Sequence, residues 1–143
     1  MINDIWVTVC GNVVEDPAQR ETPGAPVKFR LASTPSYLRD GTWRDSDTNY
    51  FDVVCWERMA ENVRECVRRG DPVLVYGRLG IREWEGANGR GRSAEIRAVH
   101  VGFDLKRRKA QVERPARTRE DWADAVTEIA PAEAAETVEE SAA

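Results

Sequence analysis

Five stretches of this chain alternate apolar and polar residues with a period of two, and one stretch between the third and the fourth breaks the pattern. Alternation of this kind belongs to half-buried strands, whose successive side chains point to opposite faces. The stretches are Ile5–Val14, Val27–Thr34, Asn49–Trp56, Pro72–Trp84 and Ser93–Val101, the last reaching to about Leu105. In VKFRLAST, Val27, Phe29 and Leu31 share one face and Lys28 and Arg30 the other. In NYFDVVCW, Phe51, Val53 and Cys55 form a core face, against Tyr50, Asp52, Val54 and Trp56. In PVLVYGRLGIREW, Val73, Val75, Gly77 and Leu79 point inward, and Leu74, Tyr76, Arg78, Arg82 and Trp84 outward. The exception is Glu57–Arg69, where Met59, Ala60, Val63, Cys66 and Val67 recur at helical spacing before Gly70 and Asp71-Pro72 stop the helix.

The order β-β-β-α-β-β over about 105 residues is that of an all-β, five-stranded OB-fold barrel with one short helix between strands three and four, a fold that binds oligonucleotides or oligosaccharides on one face. The connections are EDPAQRETPGAP, rich in turn residues, PSYLRDGTWRDSDT, a polar loop turning at Asp40-Gly41, and EGANGRGR, a hairpin tip without the GK[ST] of a phosphate loop. Charge divides the chain further. Residues 1–109 hold 18 Lys and Arg against 16 Asp and Glu, whereas residues 110–143 hold 3 against 9, so the net −4 hides a slightly basic domain and an acidic tail. The tail has few large apolar residues and reads as largely disordered, with a weak helical pattern in REDWADAVTEIA.

The faces that the core does not need carry the chemistry. They present Lys28 and Arg30, then Tyr50 and Trp56, then Tyr76, Arg78, Arg82 and Trp84, with Tyr37, Arg39, Trp43, Arg44, Arg90 and Arg92 in the adjoining loops. Aromatics interleaved with cations suit unpaired nucleic acid: bases stack on ring faces at about 1–3 kcal/mol each, and Lys and Arg neutralise phosphates. Stacking is indifferent to base identity, so such a face binds without reading sequence. Any one aromatic could instead seal a barrel end or an interface, and Asp52 repels phosphate; three adjacent strands presenting rings and cations on one side favour the binding reading.

The stretches VTVCGNVVEDPAQR, VKFRLASTPSY, NYFDVVCWERMAENVRECVRRGDPVLVYGRL and IREWEGANGRGRSAEIRAVHVG together cover about residues 5–105. They resemble the bacterial single-stranded DNA-binding protein family of OB-folds. The resemblance implies base-stacking roles for Tyr37, Tyr50, Trp56 and Trp84, the last three of which strand parity singles out independently. It also implies a homotetramer in which the first strand pairs across a two-fold and DNA wraps the assembly. Tyr37 and Tyr50 stand where Trp is frequent in the family, and Phe51 where several members have His. The family's acidic ending with a terminal Pro-Phe is replaced by TVEESAA; the resemblance is thus to a paralogue that does not recruit the usual tail-binding partners by that route.

Other functions find little support. No stretch approaches the roughly 20 apolar residues of a membrane span, and MINDIWVTV enters a strand directly, unlike a signal peptide, so a cytoplasmic, nucleoid-associated protein without membrane contact is expected. Cys10, Cys55 and Cys66 lack metal-site spacing and read as buried thiols; an intermolecular bridge through Cys10 is the one disulfide open to the chain. With a single histidine, His100, and no recognisable acid–base motif, neither catalysis, metal nor cofactor is expected. The alternative function is an OB-fold protein-interaction or assembly factor of primosomal type, its aromatics meeting a partner protein.

Overall fold

In the computed structural model, which describes residues 3–114 and Val126, eight strands and one helix follow each other: β1 (Ile5–Val13), β2 (Ala18–Gln19), β3 (Val27–Ser33), β4 (Ser36–Arg39), β5 (Thr42–Asp45), β6 (Asn49–Cys55), α1 (Glu57–Cys66), β7 (Pro72–Gly86) and β8 (Gly89–Phe103). Hydrogen bonding joins β1 to β7, β7 to β8, β8 to β6, β6 to β3 and β3 back to β1, so five strands form a closed ring, with β2 appended to β3. All these pairs are antiparallel except β6–β8. This is the five-stranded OB-fold barrel with its helix after the third barrel strand.

Closure depends on where β1 changes partner. It pairs with β7 from Ile5 to Asn12, and with β3 only at Asn12 and Val13. Just before the exchange, a methyl group at Gly11 would collide with the backbone of Ala32, and one at Gly77, beside the irregularity in the β7–β8 register, with that of Arg97. Glycine permits the close backbone approach at both bends.

The interior is filled by Val13, Val27, Phe29, Leu31, Val53, Cys55, Val73, Val75 and Ile96, with Ala60, Val63 and Val67 entering from the helix side. Burying a side chain of this size stabilises the fold by about 1.5–3 kcal/mol. The helix packs on β3, β6 and β8.

The structure departs from the sequence reading at several points. The polar loop between the second and third barrel strands is a hairpin, β4–β5, turning at Asp40-Gly41. Its eight strand residues are all exposed, so no apolar alternation marks them. The helix ends at Cys66 rather than Arg69: Val67 is extended, Asp71 Oδ2 accepts the Arg68 N–H at 2.8 Å, and Asp16 Oδ1 the Arg69 N–H at 2.7 Å. These carboxylates hold the chain out of the next helical turn. The last strand ends at Phe103, where a turn begun by Asp104 takes over. Val54, placed outward by parity, is buried outside the core cluster, between Lys28 and Arg97 in register. Of the three thiols only Cys55 is buried; Cys10 lies on the outer face of β1 and Cys66 on the open side of the helix. The acidic tail lies outside the described residues, apart from residues 110–114 and Val126.

Candidate nucleic-acid interface

Strands β3 and β6 put Lys28 and Arg30 beside Val54 and Asp52 on the outer face of the barrel. Next to Asp52 in the parallel pair stands Glu95 of β8, whose carboxylate holds Arg82 of β7 at 3.2 Å. Lys28, Arg30, Asp52, Arg82 and Glu95, with Trp84, Glu15, Asp16 and Glu83, line a groove of about 560 Å³. Four of the side chains expected from sequence, Lys28, Arg30, Arg82 and Trp84, therefore meet in one depression. Its cations alternate with carboxylates, several of which are engaged: Asp16 by a backbone N–H, Glu95 by Arg82 and Glu83 by Arg92.

Aromatic rings border this groove. The guanidinium of Arg30 lies 4.7 Å from the centre of the Tyr50 ring, a cation–π contact joining the ring to the basic rim. Trp56 follows β6 in extended conformation (φ −121°, ψ 156°), so it continues the alternation and shares the face of Tyr50 and Asp52. Glu57 then takes φ 57° to turn the chain into the helix. Tyr50, Trp56 and Trp84 are 50%, 45% and 50% exposed, each with area left for a base.

The β4–β5 hairpin springs from the end of the β3–β6 pair, its base closed by the Thr34 and Thr48 hydroxyls at 2.7 Å and by the Ser46 N–H donating to the Pro35 carbonyl. Register puts Tyr37 beside Arg44, and Arg39 beside Thr42, on one face; Trp43 sits beside Leu38 on the other. Tyr37 and Trp43 thus cannot serve one flat surface together.

The β7–β8 arm also has two faces. Arg82 and Trp84 share one with Ser93 and Gly91, while Glu83 and Glu85 oppose Arg92 and Arg90 on the other. The ion pairs Arg90–Glu85 (2.9 Å) and Arg92–Glu83 (3.3 Å) are well exposed. Such pairs contribute about 0–1 kcal/mol, so exchanging either carboxylate for a phosphate costs little.

Tyr76 and Arg78 lie elsewhere. Tyr76 stacks on Trp6 at 5.3 Å and on His100 at 6.1 Å, and Arg78 sits over Trp6 while paired with Asp4 at 3.6 Å. They belong to the outer face of β1, β7 and β8, and only Arg78 borders the Arg82 and Glu95 region, through a smaller neighbouring depression. Among the described residues no group of three or more His, Cys, Asp or Glu is placed to hold a metal ion, and no helix is long and apolar enough to cross a membrane.

The model of the Single-strand binding protein family matches residues 5–104. The chain belongs to this family. A single-stranded DNA-binding protein of Corynebacterium glutamicum is 43% identical over 121 residues, covering 81% of this chain and 54% of that protein. Single-stranded DNA-binding protein 2 of Streptomyces avermitilis is 39% identical over 117 residues, 80% of this chain and 74% of that one. The chain thus spans about half the length of the Corynebacterium relative. Among solved structures, the small single-stranded DNA-binding protein from Streptomyces coelicolor superposes with a TM-score of 0.68 at 38% identity, covering 74% of this chain and 99% of that one. The second such protein (SSBb) from Mycobacterium smegmatis gives 0.59 at 31% identity, covering 78% and 99%.

Within this member of the single-strand binding protein family, sequence reasoning passed over Trp6. The alternation of IWVTVCGNV already places it with Thr8 and Cys10 on the outer side of β1. Its stacking on Tyr76 had no local signal, because the contact joins strands some 70 residues apart.

Proposed function

We propose that residues 1–109 form a module that binds and protects single-stranded DNA without reading its sequence, in replication, recombination or repair. The observation that carries this reading is the groove in which Lys28, Arg30 and Arg82 lie between half-exposed rings, with Tyr50 and Trp84 at its margins and Trp56 on the same face. Bases stack on the rings while the cations, including Arg39 and the exchangeable Arg90 and Arg92, meet phosphates. The relatives named for single-stranded DNA binding support the same assignment. The protein acts as a binding protein rather than an enzyme, in the cytoplasm.

Self-association into a homotetramer belongs to this proposal. From Ile5 to Gly11, β1 is paired on the β7 side only, leaving a strand edge able to accept a second copy. The Trp6–Tyr76–His100 stack offers an apolar surface continuous with that edge.

The carboxylates in the groove favour one competing reading, an assembly factor whose face meets a basic partner protein. Titration of intrinsic fluorescence with oligo-dT and with duplex DNA at two salt concentrations separates the two. Strand binding predicts quenching by oligo-dT above duplex and an affinity that falls with salt at about 0.7 per phosphate neutralised on a log–log scale. Indifference to oligo-dT at low salt removes the reading.

A further inference from the structure

Trp84 does not stand away from the β7–β8 arm. Gly91 is its register partner on β8. A methyl group on the Gly91 Cα would lie 2.7 Å from Cη2 of the indole and closer still to Cζ2 and Cε2. The six-membered ring therefore covers the bare backbone of Gly91. At Gly86, near the end of the same strand, an added methyl would be 3.7 Å from Cζ3, which is ordinary contact. Gly91 is not among the residues with positive φ, unlike Gly89 at the turn (φ 110°). The backbone at 91 thus suits any residue, and only the space beneath the indole demands glycine.

We propose that Gly91 is a positioning residue for strand binding: its missing side chain lets the Trp84 indole lie down on the arm, one face against backbone and the other free. The inference rests on the reading of Trp84 as a base-stacking residue. A tryptophan extending from an exposed hairpin into water would sample several rotamers and would have to be ordered when a base arrives. One already laid across Gly91 is ordered beforehand, and ordering done in the free protein does not weaken the complex. Half the indole remains exposed, and the residue lines the groove with Lys28, Arg30 and Arg82. A methyl at 91 would lift or swing the ring while leaving both strand hydrogen bonding and charge unchanged.

The test uses the full chain and a fluorescently labelled oligo-dT, with W84A, G91A, the double variant and G86A compared by anisotropy. W84A is expected to weaken binding by about 5- to 150-fold, G91A to reproduce a large part of that loss, and G91A to add nothing in the W84A background; G86A should match wild type. A second readout needs no DNA: with Trp6, Trp43, Trp56 and Trp122 replaced by Phe, G91A should shift Trp84 emission to the red and raise its quenching by iodide, the fold being monitored by circular dichroism. Equal losses from G91A in both backgrounds would mean that the methyl disturbs the arm itself, which overturns the proposal, as does an unchanged Trp84 emission. A neutral G91A beside a damaging W84A overturns the positioning role alone. A neutral W84A removes the stacking reading, and the positioning role with it.

Discussion

Under the proposed function, Arg30 combines two tasks that are usually divided between residues. Its guanidinium lies over the Tyr50 ring, and its position on the groove would leave the N–H fork for a phosphate. The variant R30K should keep the salt dependence of oligo-dT binding, because the charge stays, but lose affinity through the loosened Tyr50 ring. R30A should lose affinity and also flatten the log–log salt slope by about 0.7; equal slopes for wild type and R30A would remove Arg30 from the phosphate path. Cys55 makes a contrasting case. Burial pushes its thiol up to about 12 from an ordinary 9.0, since the thiolate would be stranded in the core. A thiol reagent at neutral pH should therefore titrate Cys66 rapidly in the native protein and reach Cys55 only on unfolding. The linked effect on stability has a definite sign. Below pH 9 the thiol is neutral in both folded and unfolded chains, and its contribution is intact; between 9 and 12 only the unfolded chain releases the proton, so stability is lost as pH rises. The urea midpoint of wild type should fall more steeply over that window than that of C55V.

At the scale of elements, the β4–β5 hairpin is held by its turn more than by its packing. Asp40 and Gly41 have φ of 52° and 76°, the two positive values that a tight two-residue turn between twisted strands requires. A β-branched residue tolerates the second poorly. G41V should fray the hairpin, displace Tyr37 and Trp43, and lower oligo-dT affinity, while the melting temperature moves little because no hairpin residue reaches the core. A large drop in melting temperature would show the hairpin to be structural to the barrel. This element also marks how far the sequence could be read. Asp40-Gly41 is legible as a turn from residue chemistry, but its flanking strands are exposed on both sides and carry no apolar period. The barrel strands were legible because one face of each is buried, and their alternation located Tyr50, Trp56 and Trp84 on the outer side. The helix start was readable; its end was not, since it depends on Asp16 and Asp71 capturing amides, contacts that come from outside the helix. Val54 escaped parity because burial there is supplied by neighbouring side chains on the outer surface.

At the scale of the molecule, the ring closes where β1 pairs with β3 at Asn12 and Val13, and the same edge of that strand has no strand partner from Ile5 to Gly11. In the proposed self-association, assembly and fold share one element. The double variant W6A/Y76A removes the ring stack without touching the core. It should lower the mass seen by light scattering at micromolar concentration while leaving the far-ultraviolet dichroism of the barrel intact. Retention of the wild-type mass would place self-contact on another surface. Neither the closure nor the Trp6–Tyr76 contact could be read from local pattern, since both depend on which distant strands become neighbours.

The parallel β6–β8 pair bears on how the barrel comes into being. Its partners, such as Phe51 with Ala94 and Val54 with Arg97, are separated by some 43 residues that include the helix and all of β7, whereas β7 and β8 meet through a two-residue turn. Chain entropy makes the distant pairing the costlier contact to establish. Refolding should therefore protect amides shared by β7 and β8 before those joining β6 to β8 and those joining β1 to β7, whose partners lie farther apart still, in an order that pulsed hydrogen exchange can time. Read in reverse, the long-range seams should part before the β7–β8 hairpin on heating, and opening of the one between β6 and β8 would carry away one wall of the groove while the arm that bears Trp84 still stands.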